Sequence, residues 1–226
     1  MAGLQARLGA TARRQQILGV ATAMFARRGF QGTTTREIAQ RARVNEALIF
    51  RHFPTKEDLY WGVIDAKCRQ NSWREQLAQK IRGAKSTREL LVSLATDLLE
   101  RDPTMSRLLW FSALENHRLS GRFFQTYMVR YYRTLAEYLR RRMEAGELRK
   151  MDPLLASRCF LGMVNYHFYV QEIFGGKRYQ KFDPRRVAEG LVDTWLTGVA
   201  APRLSKNGKN GRNGDHAGQN RNGRTR

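Results

Sequence analysis

The chain has 226 residues, 42% of them hydrophobic, with four Trp, eight Tyr and eleven Phe, enough to bury a sizeable core in one large helical domain or two smaller ones. A formal net charge of +21 favours a polyanionic partner (DNA, RNA or an anionic membrane surface) without choosing among them. Cys68 and Cys159 stand far apart, outside any zinc-ligand spacing, and no apolar run approaches the ~20 residues of a bilayer-spanning helix.

In chain order the periodicity is helical throughout, so an all-α fold is expected. The opening segment, "MAGLQARLGATARR", lacks the apolar core of a signal peptide, which with two isolated thiols points to the cytoplasm and no membrane. Over 12–28, Ile17, Ala21, Met24 and Phe25 fall on one helix face, and two arginines followed by Gly29 mark its end. Thr34 and Glu37 have capping-box spacing at the start of a second helix, with Ile38, Ala39 and Ala42 as its apolar side. Asn45 is placed to cap a third, short helix that runs to His52 and stops before Pro54. Thr55, with Asp58 three residues on, opens a fourth. Helices are then expected at 56–80, 87–101, 104–116, 119–145, 153–173 and 184–199, broken at Gly or Asp-Pro pairs. The last segment, "RLSKNGKNGRNGDHAGQNRNGRTR", is basic and Asn/Gly-rich with no large apolar residue after Leu204, a composition expected to stay disordered.

Two short helices joined by a tight turn, with a preceding helix packed on both, follow the helix-turn-helix plan. In the second of the pair, Ile49 and Phe53 are spaced to face inward. Asn45, Glu46, Ala47, Leu48, Arg51 and His52 then project outward, on a helix short enough for a major groove. The segment from Arg13 to Tyr60, through "GFQGTTTREIAQRARV" and "LIFRHFPTKEDLY", resembles the DNA-binding domain of the TetR family of bacterial transcriptional regulators. The resemblance implies that Thr34, Thr35 and Arg36 contact phosphates or groove edges, and that Asn45, Glu46, Ala47 and Leu48 face bases. His52 and Lys56 would hold backbone phosphates, and Phe50 stands where the family usually has a Tyr. Arg43 stands where the family usually has Gly in the turn, so a non-Gly residue is expected at positive φ. Glu46 could accept from cytosine N4, and Leu48 could touch a thymine methyl. Arg7, Arg13 and Arg14 form a basic arm able to enter a minor groove or simply to stay solvated.

The division expected is 1–60 for DNA reading, 61–202 for a helical effector-binding and dimerisation domain, and 203–226 for the tail. In the resembled family the second region encloses a small-molecule pocket. Trp110, Leu114, Tyr127, Tyr131, Met163 and His167 are the candidate lining for a small apolar or aromatic effector, although aromatics at helical spacing are more often core. A stripe of Leu155, Cys159, Gly162, Met163 and Tyr166 and another of Val187, Leu191 and Trp195 would bring two copies together as a four-helix bundle, or else face the subunit's own core. His117 and His167 lack triad partners, and no phosphate loop, carboxylate pair or metal spacing occurs. No enzymatic activity and no cofactor are therefore expected. The leading expectation is a homodimeric repressor on a near-palindromic double-stranded operator, and the rival is a sequence-indifferent coater of nucleic acid.

Overall fold

The structure is a computed structural model of the chain, and it describes residues 9–115 and 118–199. Arg7, His117 and the tail at 203–226 lie outside the described residues. The described residues form helices and no strand. The helices are α1 (Ala10–Arg28), α2 (Thr35–Ala42), α3 (Glu46–His52), α4 (Lys56–Asn71), α5 (Trp73–Gly83), α6 (Thr87–Glu100), α7 (Thr104–Leu114), α8 (Arg118–Phe123), α9 (Val129–Glu144), α10 (Pro153–Glu172) and α11 (Pro184–Val199).

Local chemistry sets the ends of the first four. Thr34 accepts from the Glu37 N–H while Glu37 reaches back to the Thr34 N–H, and Thr55 and Asp58 repeat the exchange at α4. Each such cap is worth about 1 kcal/mol. The Asn45 side chain accepts from the Ala47 N–H at 2.9 Å and opens α3. Arg43 ends α2 at φ 53°, ψ 46°, the left-handed conformation expected there, and its N–H bonds back to Gln40.

Two expected helices divide differently. The run expected at 56–80 breaks at Ser72, which takes φ 41°, ψ 39° and returns its hydroxyl to the Arg69 carbonyl, so α5 leaves at a new angle. The run expected at 119–145 contains a π-helical turn, Phe124–Met128, between α8 and α9.

The core lies in two parts. The first gathers Ile17, Phe25, Ile38, Ile49, Phe53, Leu59 and Tyr60 from α1–α4 with Met105, Leu108, Leu119 and Phe123 from α7 and α8. It thus draws on both sides of position 60. The second joins α5, α6, α9, α10 and α11 around Leu77, Leu91, Leu139, Phe160, Val164 and Val192. Truncating a side chain such as Ile49 or Phe160, each fully buried, costs about 2–5 kcal/mol.

Candidate DNA-reading face and effector cavity

The reading face follows from which side of α3 is buried. Ile49 is fully buried and Phe53 nearly so, anchoring the helix on Ile38 and α1, and this leaves Asn45, Ala47, Phe50 and Arg51 exposed. Leu48 and His52 are half-buried at its edge. Thr34 and Arg36 are exposed at the start of α2. Thr35 donates its hydroxyl to Glu46 Oε1 at 2.5 Å, tying α2 to α3 and leaving Oε2 of Glu46 for a partner. The Lys56 ammonium lies 4.2 Å from the centroid of the Phe30 ring. Burial pushes its pKa down, and Glu115 opposes that shift. Arg14 stacks over Phe53 at 4.8 Å, and Arg13 bonds Gln16, whose amide donates to the Ala42 carbonyl at the end of α2. Of the arm residues that are described, Arg14 thus contacts the end of α3, and Arg13 contacts Gln16 within α1.

The head is fastened to the rest of the molecule at α7. The Glu115 carboxylate accepts from the backbone N–H groups of Phe30, at 3.0 Å, and Gln31, at 3.3 Å. Tyr60 donates to the Leu108 carbonyl at 2.6 Å from a fully buried position. Gly29 permits the first of these joints: it sits at φ 73°, ψ −176°, and a Cβ there would lie 2.4 Å from Glu115 Oε1.

A cavity of about 670 Å³ opens where the two cores meet, walled by α4–α10 and the π-helical turn. Trp73, Leu94, Met105, Leu109, Phe123 and Met128 give it an apolar wall, and Arg101, Tyr131, Asn165 and Tyr169 a polar one. Of the six expected lining residues, it contains Tyr131. The others lie elsewhere, because aromatic spacing marks a helix face and does not say which neighbour that face meets. His167 lines a smaller groove of about 190 Å³ beside Phe182, where burial lowers its pKa. Trp110 packs edge-on against Tyr169 and Phe174, Met163 packs on the second core, and Leu114 is 76% exposed. Tyr127 faces α4, donating to Asp65 at 2.6 Å and stacking on Trp61. Arg101 and Trp73 were not singled out from sequence; an Arg just before Asp-Pro at a helix end carries no periodic signal.

Of the expected interface stripes, Leu155, Cys159, Gly162 and Tyr166 lie exposed along one face of α10. On α11 the expectation is corrected at Trp195, which is 6% exposed and packs edge-on against Phe160 inside the second core. Leu191 is half-buried against the same core, and Val187 lines the smaller groove.

Comparison with known proteins places these features. Residues 17–61 match the family model for bacterial regulatory proteins of the tetR family, and residues 96–198 match that for the AefR-like transcriptional repressor C-terminal domain. The nucleoid occlusion factor SlmA of Salmonella paratyphi B is 34% identical over 182 residues, covering 76% of this chain and 90% of that protein. The HTH-type transcriptional repressor Rv3405c of Mycobacterium tuberculosis is 39% identical over 85 residues, 38% of this chain and only 37% of that protein's length. Among solved structures, the transcriptional regulator FadR of Bacillus subtilis in complex with stearoyl-CoA superposes with a TM-score of 0.64 at 21% identity, covering 81% of this chain and 98% of that one. The capped helix pair, the helical body and these matches agree: the chain belongs to the TetR family of DNA-binding transcriptional regulators.

Proposed function

We propose that the chain is a homodimeric repressor that reads a near-palindromic operator through Glu46–His52 and is released when a small, largely apolar ligand fills the 670 Å³ cavity. In this reading 1–60 reads DNA, 61–202 binds effector and partner, and the basic tail at 203–226 adds salt-sensitive affinity. Thr34, Thr35, Arg36 and Lys56 position the head on phosphates, while Asn45, Ala47 and Leu48 meet base edges with Glu46.

The observation that carries the proposal is the π-helical turn. Phe124 and Met128 line the cavity, and between them Tyr127 bonds Asp65 and stacks on Trp61 of α4. Three residues separate the end of α3 from the start of α4 at Lys56. At 1.5 Å per residue it is about 24 Å long, so a tilt of roughly 5° moves one end by about 2 Å relative to the other. Two heads must meet half-sites a fixed number of turns apart, and such a shift costs simultaneous contact. The Bacillus subtilis neighbour is in complex with stearoyl-CoA, which supports an acyl-bearing ligand for this cavity. The name of the Salmonella relative suggests a nucleoid-occlusion role instead, but a cavity of drug-ligand size favours an effector.

Selection of bound sequences from random duplex DNA near physiological salt tests the reading face, using the full chain and a version ending at Leu204. One inverted repeat enriched by both is expected. Salt-steep binding without an enriched sequence, lost with the tail, would establish the coater instead.

A further inference from the structure

Arg101 follows the last turn of α6 with extended backbone, φ −63°, ψ 151°, and its guanidinium turns inward onto the cavity wall. One nitrogen, Nη2, donates to Asn165 Oδ1 at 2.8 Å and, at 3.4 Å, to Ser106. The group lies 4.1 Å from the centroid of the Phe168 ring. Burial lowers its pKa, but a guanidinium stays charged throughout the range in which proteins work.

The other charges around the cavity are compensated or turned outward. Lys80 pairs with Asp97 at 3.0 Å and Lys67 with Asp102 at 3.7 Å, while Glu100 is exposed. Among the described residues, no carboxylate is in ion-pair contact with Arg101. Neutral dipoles and two aromatic rings, Phe168 and, at 6.0 Å, Tyr169, compensate a half-buried cation only in part. A counter-ion arriving with the ligand would supply what the protein leaves out. The neighbouring hydroxyls suit the same visitor: burial, and then Asp97, pushes the Tyr131 pKa up, which keeps that phenol a hydrogen-bond donor. Away from this corner the wall becomes apolar, through Leu98, Leu109, Phe123 and Trp73.

We propose that the effector is an amphipathic monocarboxylate, its two oxygens held by the Arg101 fork with help from Tyr131, and its hydrocarbon part lying against Trp73 and Phe123. This deepens the ligand-responsive reading and rests on it. A neutral hydrocarbon leaves the cation as it is, and in a coenzyme A thioester the acyl carbonyl is uncharged, the anionic phosphates standing a pantetheine's length away from the hydrocarbon chain.

The test uses the full chain with dodecanoate, 1-dodecanol and dodecanoyl-CoA, read by calorimetry and by tryptophan fluorescence, since Trp73 lies in the wall. Wild type is expected to bind dodecanoate at least tenfold more tightly than dodecanol. Arg101→Met is expected to erase that preference while keeping dodecanol binding, which also shows that the variant folds. Equal binding of acid and alcohol by wild type, or a preference that survives Arg101→Met, overturns the carboxylate assignment and leaves the ligand-responsive reading standing. Tighter binding of the thioester than of the acid, indifferent to Arg101, overturns it in favour of an acyl-CoA. Binding of none of the three removes both. An Arg101-dependent preference with unchanged operator affinity supports the assignment and removes release by ligand.

Discussion

At the turn between α2 and α3, Arg43 holds φ 53°, ψ 46°, a conformation that costs a residue with a Cβ about 1–2 kcal/mol. Glycine relieves that cost and loses about 0.5–1 kcal/mol through its freer unfolded chain. Arg43→Gly is therefore expected to raise stability by about 0.5 kcal/mol, seen as a higher urea midpoint at constant slope; a lower midpoint would mean that Arg43 makes a contact stronger than its strain. Gly29 answers in the opposite sense. Its φ 73°, ψ −176° belongs to a region that is essentially glycine's own, and its missing Cβ leaves room for Glu115. Gly29→Ala is expected to cost about 3 kcal/mol in the same measurement, combining backbone strain with displacement of the carboxylate. Both positive-φ positions were readable from the chain, Gly29 from the arginines before it and Arg43 from the family pattern. Glu115 was not, because its acceptor role depends on backbone amides 84 and 85 residues away.

Helix α4 belongs to the head and to the cavity at once, lending Leu59 and Tyr60 to the first core and Lys67 and Gln70 to the cavity rim. It meets the π-helical turn through the Tyr127–Asp65 hydrogen bond and through the stacking of Tyr127 on Trp61. Tyr127→Phe keeps the ring on Trp61 and removes only the hydroxyl. It is expected to leave operator affinity without ligand within about twofold, and to shrink the ligand-induced drop by about fivefold, on the order of 1 kcal/mol of coupling. Titrating labelled operator with and without saturating ligand measures this; an undiminished drop would show that the signal bypasses the bond. The helices themselves were legible where a cap lay three residues from its partner, as at Thr34–Glu37 and Thr55–Asp58. The break at Ser72 and the π-helical turn were not, since neither interrupts the apolar period that announces a helix.

At the scale of the whole molecule, the exposed face of α10 carries the proposed pairing of two copies. Leu155 is 54% and Tyr166 69% exposed, with the Cys159 thiol between them. Cys68 is the internal control: burial, and then Asp65, pushes its thiol up to about 12, so it stays protonated and unreactive in the folded chain. Alkylation of Cys159 is expected to slow at least tenfold as protein concentration rises through the dimerisation range, with Cys68 unmodified until denaturant is added. A Cys159 rate independent of concentration would take this face out of the interface. The stripe on α10 could be written down from sequence, whereas burial of Trp195 could not, because one apolar stripe does not reveal which side of a helix the rest of the chain occupies.

The first core has a further consequence. Met105, Leu108, Leu119 and Phe123 pack directly against the reading head, so head and cavity wall share one set of buried side chains. A molecule that fills the cavity, and so stabilises its wall, also stabilises the head, by about 2.7 kcal/mol at a hundredfold excess over its dissociation constant, and so raises its melting temperature. The compound that lifts this protein from DNA would then be the one that makes it hardest to melt. A thermal screen of small amphiphiles, run with no DNA in the tube, is therefore a direct way to find a ligand for the proposed effector cavity.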